Sequence, residues 1–167
     1  MAFLTIAQDD FGRTSGSGWG SAGVGGSWTV EPSLTVSGGA GLCTLATVGF
    51  REALLNGVST ENVRMRVSFS SSSPYSGGAQ SFTLYGRYKP ASGVYQARVR
   101  IEDGLLRLYI MLDETPLVGS TTITHTYVPG EVIWLELEVT GTSPAAVSAK
   151  MWRGGTTLPN SLAAAIA

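Results

Sequence analysis

QSFTLYGRYKPASGVYQARVRIEDGLLRLYIMLD, residues 80–113, carries the clearest structural signal in this chain. It contains three runs in which apolar and polar residues alternate, as in strands that bury one face. The runs cover 80–89, 94–101 and 105–113, and they are separated by Pro90-Ala91-Ser92-Gly93 and Glu102-Asp103-Gly104. Asp-Gly between alternating runs is a strong hairpin signal. The stretch therefore predicts a three-stranded antiparallel meander.

Similar patterns recur along much of the chain. Further strands are predicted at 41–46, 50–55, 61–70, 132–140 and 145–152, with turn-forming residues between them. About nine or ten strands at this spacing indicate an all-β domain. Each alternating strand must bury one face, which favours a two-sheet antiparallel β-sandwich. The predicted core contains the inward-facing residues Phe82, Leu84, Val99, Ile101, Leu106, Leu108, Ile110, Leu135 and Leu137.

We expect one domain at 1–155, followed at 156–167 by a C-terminal tail or the start of a continuing segment. The first forty residues are rich in Gly and Ser, yet they include Phe11, Trp19 and Trp28. Because large rings are usually packed, this region is predicted to be an ordered loop held by its aromatic side chains.

Composition excludes several classes of protein. Hydrophobic residues make up 43% of the 167 residues and charged residues 14%, a balance that predicts a folded chain. A net charge of −1 lacks the basic excess typical of nucleic-acid binding. Cys43 is the only cysteine and His125 the only histidine, so neither an intramolecular disulfide nor a Cys/His zinc cluster is expected. No secretion signal or membrane-spanning stretch is visible, so no membrane partner is expected.

The polar side of the meander is the predicted ligand-binding face. By alternation it carries Tyr85, Arg87, Gln96, Arg98, Arg100, Arg107 and Tyr109. Aromatic rings stack on the C–H faces of sugars, and guanidinium groups bind hydroxyls or carboxylates. This combination favours carbohydrate as the ligand. The alternative is a solvated sheet face whose arginines pair with Glu136 and Glu138 across strands.

Signals for catalysis are weak, and we expect no enzyme. Glu136 and Glu138 share a strand face, but alternation favours solvated outward charges over a glycosidase acid pair. His125 is the only imidazole base, and the chain contains no Gly-x-Ser-x-Gly motif for a nucleophilic serine. His125 is predicted to lie in an exposed loop or at a strand edge.

Two motifs near the N-terminus raise the question of a cofactor or a metal. Gly18-x-Gly20-x-x-Gly23 matches a dinucleotide fingerprint but lacks the preceding strand and following helix, so loop glycines are favoured and no cofactor is expected. Asp9-Asp10 could supply calcium ligands. The favoured interpretation assigns no metal and has Asp10 turning the backbone through side-chain hydrogen bonds.

Several motifs, in order along the chain, resemble one domain family. They are Asp10-Phe11-x-Arg13-Thr14, Gly18-Trp19-Gly20, Gly25-Gly26-x-Trp28-Thr29, Leu54-x-Asn56-Gly57-Val58, Gly86-Arg87-Tyr88, Tyr95-x-Ala97-x-Val99-x-Ile101, Pro129-Gly130, Val139-Thr140-Gly141-Thr142-Ser143-Pro144 and Ala149-Lys150-x-Trp152-Arg153. Residues 9–155 resemble the concanavalin A-like (LamG-like) jelly-roll domain of actinobacteriophage minor tail proteins and secreted actinobacterial proteins. Such domains usually continue past Trp152 into another strand, whereas 158–167 is short and bland.

The resemblance implies a concanavalin-like jelly roll in a virion, on the phage tail, and outside the cell after release by lysis. It implies a carbohydrate-binding module for host attachment, or alternatively a purely structural assembly module. The expected partners are host cell-surface carbohydrate, other virion proteins and further copies of this chain in a homo-oligomer. It implies no conserved chemistry, because a fold does not determine a function.

Overall fold

A computed structural model describes residues 4–31, 33–73, 78–89, 93–117, 121–142, 145–155 and 164–166. These residues form strands, turns and loops and contain no helix, which confirms the all-β prediction. The chain divides into two compact units, Met1–Ser59 and Thr60–Ala167.

The first unit contains four short strands among its described residues. They are β1 (Thr29–Val30), β2 (Thr35–Ser37), β3 (Ala40–Leu42) and β4 (Ala53–Leu54). β1 pairs with β4 and β2 with β3, both antiparallel. Two strands predicted here, at 41–46 and 50–55, are therefore shorter than expected, and Cys43 lies exposed just beyond the end of β3.

Three aromatic rings pack together in this unit, in the region predicted to be held by them. The ring centroids of Phe11 and Trp28 each lie 5.2 Å from that of Trp19, in edge-on geometry. Gly41 lies against this cluster, and a Cβ at that position would come within 2.8 Å of the Trp19 ring. A residue without a side chain is thus required where the backbone passes the ring.

The second unit contains nine strands among its described residues. They are β5 (Val63–Phe69), β6 (Gln80–Lys89), β7 (Gly93–Glu102), β8 (Leu105–Leu112), β9 (Thr115–Pro116), β10 (Thr121–Thr126), β11 (Ile133–Thr140), β12 (Ala146–Arg153) and β13 (Ala164–Ile166). One sheet has the order β10-β8-β7-β6, with β9 added beside part of β8. The other has the order β13-β12-β11-β5. Every pairing is antiparallel, including those of the predicted meander β6–β7–β8.

Side chains from both sheets of the second unit form one buried cluster. Seven of the nine predicted core residues are at most 1% exposed: Val99, Ile101, Leu106, Leu108, Ile110, Leu135 and Leu137. The other two, Phe82 and Leu84, are partly buried against this cluster. Alternation along each strand sends the intervening residues to the opposite face, where the candidate site lies.

The segment 156–167, predicted to be a tail or a continuing segment, includes β13. This strand pairs with Ser148, Ala149 and Lys150 of β12. Residues 156–163 and 167 lie outside the described part of the chain.

Candidate functional site

The strand register brings six of the seven predicted site residues to one face of the β6–β7–β8 sheet. Arg98 lies opposite Tyr109 on β8 and Thr83 on β6. Arg100 lies opposite Arg107 in the next row on the same face. The row on the other side pairs Gln96 with Tyr85. The predicted face therefore exists as a contiguous surface.

Arg87 does not belong to this face, and its predicted placement is wrong. The β6–β7 register shifts between Gly86 and Lys89, and Arg87 has a φ of 53°, so the alternation breaks there. Its Nε donates to the carbonyl oxygen of Glu61 at 2.5 Å. Its guanidinium carbon lies 5.9 Å from the ring centroid of Tyr95, a residue packed against the core. A β-bulge has thus turned Arg87 away from Tyr85.

A depression of about 260 Å³ lies on the predicted face. It is lined by Arg98, Arg100, Tyr109, Met111, Glu114 and Pro116. Pockets that enclose drug-sized ligands have volumes of roughly 300–1,000 Å³. The depression is therefore suited to holding one small ring against the sheet rather than enclosing a whole ligand.

Arg98 occupies the middle of the face and is held by three neighbours. Its Nη2 donates to the Gln96 side-chain oxygen at 2.9 Å and to the Glu114 carboxylate at 2.9 Å, and its Nε donates to Thr83 Oγ1 at 3.3 Å. Gln96 is only 3% exposed, and its amide nitrogen donates to the main-chain oxygen of Asp113. Because Gln96 is buried, its side chain fixes Arg98 and adds little surface of its own to the face.

Arg100 and Tyr109 form the adjoining part of the depression. The Arg100 guanidinium carbon lies 6.0 Å from the Tyr109 ring centroid, within the range of a cation–π contact. Arg100 Nη2 also donates to Glu102 at 3.3 Å. Arg107 Nε lies 3.4 Å from the other oxygen of Glu102, but the buried Nε–H has no hydrogen-bond partner among the residues that the structure describes. The Arg107–Glu102 contact is therefore an electrostatic one without hydrogen-bond alignment.

The proposed alternative pairing of these arginines with Glu136 and Glu138 is wrong. Glu138 accepts a hydrogen bond from Arg64 Nε at 2.8 Å, and Glu136 accepts one from Arg66 Nη2 at 2.6 Å, both across the β5–β11 pair. Glu136 is also 3.7 Å from Lys150 Nζ and is only 4% exposed, so it is not the solvated charge that alternation predicts. The charge of Glu136 is therefore compensated by cations of its own sheet, β13-β12-β11-β5.

The two aspartates considered as calcium ligands are occupied by protein donors. Asp9 accepts hydrogen bonds from Arg13 at 2.7 Å and from Trp28 Nε1 at 2.6 Å. Asp10 Oδ1 accepts from the Gly12 backbone N–H at 2.9 Å, which confirms the predicted turn. Among the described residues, no group of three or more Asp, Glu, His or Cys side chains could hold a metal ion.

His125 lies on β10, which is an edge strand of the β10-β8-β7-β6 sheet. This agrees with one of its two predicted positions, the one at a strand edge. Its Nε2 lies 2.8 Å from an oxygen of Glu131, and the same carboxylate accepts a hydrogen bond from Arg153 Nε. Glu131 is 11% exposed. Although burial by itself raises the pKa of Glu131, the hydrogen bonds from His125 and Arg153 lower it below its usual value. The group is thus an ionic junction between β10 and β12.

The sequence analysis did not predict Glu114, the acidic residue that lines the depression. Glu114 lies in the β8–β9 turn, next to Asp113, which has a φ of 54°. β9 returns beside Met111 and is only two residues long, too short to show a period. The sequence Asp113-Glu114-Thr115 was the available signal, because turns favour such residues.

Comparisons with known proteins identify no relative. In the described part of the chain, no helix is long and apolar enough to cross a membrane. No protein-family model, curated protein or solved structure matches this chain.

Proposed function

We propose that this protein is a non-enzymatic carbohydrate-binding module that attaches a phage tail to its host cell surface. The observation that carries the proposal is the depression in which Arg98, Arg100 and Tyr109 lie together. Sugars present C–H faces that stack on aromatic rings and hydroxyls that accept hydrogen bonds from planar guanidinium donors. A sheet face with both groups offers this combination without a deep cavity.

The fold proposal is a two-sheet β-sandwich with the concanavalin-like jelly-roll topology. Its support is that the two four-strand paths of the second unit contribute to one buried cluster. The virion context is supported by the motifs at residues 9–155 that resemble actinobacteriophage minor tail proteins. Host cell-wall carbohydrate and other virion proteins are accordingly the proposed partners.

Binding of the purified protein to actinobacterial cell-wall polysaccharide tests the proposal. The variant Arg100→Ala/Tyr109→Ala removes one cation and the ring from the depression. Arg64→Ala is the matched control, because it removes a cation from the second sheet. We expect the wild type and the control to bind and the double variant to lose at least tenfold in affinity, with unchanged circular dichroism. Absence of binding by the folded wild type would overturn the proposal.

A second candidate is a purely structural assembly module that forms a homo-oligomer. It is favoured by exposed apolar side chains in and after β3, namely Leu42, Leu45, Val48 and Phe50. Exposed apolar side chains mark contacts between subunits where they form a contiguous patch. Light scattering distinguishes this candidate: a stable oligomer that Leu45→Ser/Phe50→Ser dissociates, together with no glycan binding, would favour it.

A further inference from the structure

Arg98 and Glu114 form an ion pair of unequal partners. Both oxygens of Glu114 lie 2.9 Å from Arg98 Nη2. The Arg98 side chain is 20% exposed, whereas that of Glu114 is 72% exposed. The arginine therefore belongs to the surface of the sheet, and the carboxylate lies over it from the solvent side.

The two partners are also held differently. Arg98 makes further hydrogen bonds to Gln96 and Thr83, which lie on its own strand and on the neighbouring one. Glu114 lies in the β8–β9 turn, and its other hydrogen bond, from the Gln96 amide, is 3.4 Å long. Exposed ion pairs stabilise proteins weakly because water solvates the separated charges well. Glu114 can thus leave Arg98 at little cost while the guanidinium stays in place.

We propose that the ligand is a carboxylate-bearing sugar whose carboxylate displaces Glu114 from Arg98. This inference rests on the proposed carbohydrate-binding function and names its substrate class. A ligand carboxylate makes with Arg98 the same charge-assisted contact that Glu114 makes now. Glu114 acts as an internal competitor that the acidic ligand replaces.

The neighbourhood of Arg98 fits the rest of such a sugar. Tyr109 lies directly opposite Arg98 in the strand register, and its aromatic ring gives the sugar ring a stacking surface. Met111 and Pro116 add apolar lining on the side of β9. The guanidinium carbon of Arg100 lies 6.0 Å from the centroid of the Tyr109 ring, and Arg100 is a second cation within the depression. After Glu114 has moved away, the depression keeps two guanidinium groups beside one ring, which favours an anionic sugar over a neutral one.

The test compares one polysaccharide in two chemical forms. Actinobacterial cell-wall polysaccharide is used with its carboxyl groups intact and after their reduction to hydroxymethyl groups, beside glucuronate- and galacturonate-containing oligosaccharides treated in the same way. We expect the wild type to bind the carboxylated forms at least tenfold more tightly than the reduced ones. Glu114→Gln should bind the carboxylated forms about two- to fivefold more tightly than wild type, the range of an exposed ion pair. It should bind the reduced forms unchanged.

Two controls separate displacement from other effects. Glu61→Gln changes the net charge by the same amount at an exposed carboxylate before β5, and we expect it to leave affinity unchanged. Glu114→Ala also removes the hydrogen-bond acceptor and should tighten binding in the same direction as Glu114→Gln.

The outcomes distinguish this inference from the proposed function. Equal wild-type affinity for carboxylated and reduced forms, abolished by Arg100→Ala/Tyr109→Ala, would overturn the acidic-sugar inference and leave carbohydrate binding standing. Equal effects of Glu114→Gln and Glu61→Gln would overturn displacement. No binding of either form by any folded variant would overturn the inference and the proposed function together.

Discussion

Asp9 holds both terminal guanidinium nitrogens of Arg13, each at 2.7 Å, in a two-pronged ion pair within the first unit. The same carboxylate accepts the indole N–H of Trp28 at 2.6 Å and the backbone N–H of Phe11 at 2.9 Å. The Asp9 side chain is only 4% exposed. The Asp9 carboxylate thus links the N-terminal loop to the aromatic cluster. Removing this carboxylate should lower the stability of the protein.

We predict that Asp9→Asn lowers the free energy of unfolding by about 1–2 kcal/mol at pH 7, after allowing for screening by solvent. The hydrogen bond from Arg13 is the largest reason that the pKa of Asp9 falls to about 2; burial opposes it, and Phe11 and Trp28 add to it. A lowered pKa means that the stabilisation is complete above the unfolded value, near 4, and is lost as the pH falls through about 2. Denaturant unfolding of wild type and variant between pH 7 and pH 2 measures this.

Asp10→Asn is the control for that experiment. Asp10 is exposed, its Oδ1 accepts only the Gly12 N–H among the hydrogen bonds described, and an asparagine oxygen can replace it. Its effect should stay below about 0.5 kcal/mol. A difference between wild type and Asp9→Asn that does not change from pH 7 to pH 2 would show that the charge of Asp9 is not the source of the stability.

Alternation predicted the long strands well because one face of each is buried. β5 and β11 were expected at 61–70 and 132–140, and they lie within a few residues of those bounds. A shift of one residue would have exposed every core side chain, so the pattern leaves little freedom. The two-residue strands β1 and β9 were missed because a period needs more residues than they have.

The candidate site was predictable where it depends on strand register and not where it depends on irregular backbone. Arg98 and Tyr109 face the same way because their strands are regular and adjacent. The predicted placement of Arg87 on this face is wrong because the bulge after Gly86 breaks the alternation. Glu114 lies in the β8–β9 turn and reaches Arg98 on β7, a contact that no local pattern encodes.

Gly86→Ala should destabilise the second unit by about 1–3 kcal/mol, the usual cost of an overfilled core. A Cβ at Gly86 would lie 2.9 Å from Val139 Cγ2 and 3.1 Å from Leu137 Cδ2, and both neighbours are fully buried. Gly78→Ala is the control, because nothing lies within 4 Å of its Cβ position. Thermal unfolding of the two variants should show a lower Tm only for Gly86→Ala; equal Tm values would contradict the close packing.

Relief of that contact supplies an independent check. Val139→Ala removes the methyl group that the new Cβ would meet, although it also leaves a cavity. The double variant Gly86→Ala/Val139→Ala should therefore lose less stability than the sum of the two single variants, by about 0.5–1 kcal/mol. Strict additivity would show that the two positions do not compete for the same space.

Glu131→Gln should lower the free energy of unfolding by about 1–3 kcal/mol at pH 7, because two charge-assisted hydrogen bonds lose their anionic acceptor. The acceptor serves His125 and Arg153. Since the pKa of Glu131 is lowered in the folded protein, its contribution is present above the unfolded value near 4.3 and declines as the pH falls below it. Denaturant unfolding at pH 7 and pH 3 measures the loss. Glu114→Gln, at an exposed carboxylate, should change stability by less than about 0.5 kcal/mol, and an equal effect of both variants would refute the junction.

Arg87 and Arg100 should separate stability from binding. Arg87 donates to the carbonyl oxygens of Glu61 and Gly141 and lies over Tyr95, so Arg87→Gln should lower stability by about 0.5–1.5 kcal/mol and leave the proposed glycan binding unchanged. Arg100 makes its hydrogen bond to Glu102 at the sheet surface, so Arg100→Gln should change stability by less than about 1 kcal/mol. The same variant should weaken the proposed glycan binding about tenfold, because it removes a cation from the depression.

Paired measurements on each variant decide the point, with denaturant unfolding for stability and calorimetric titration with cell-wall polysaccharide for affinity. Loss of affinity in a well-folded Arg87→Gln protein would mean that ligand contacts extend around the bulge to the end of β6. Unchanged affinity in Arg100→Gln would mean that the guanidinium of Arg100 does not contact the ligand. Opposite responses of the two variants are the expected result, because two arginines thirteen residues apart in one meander face different surroundings.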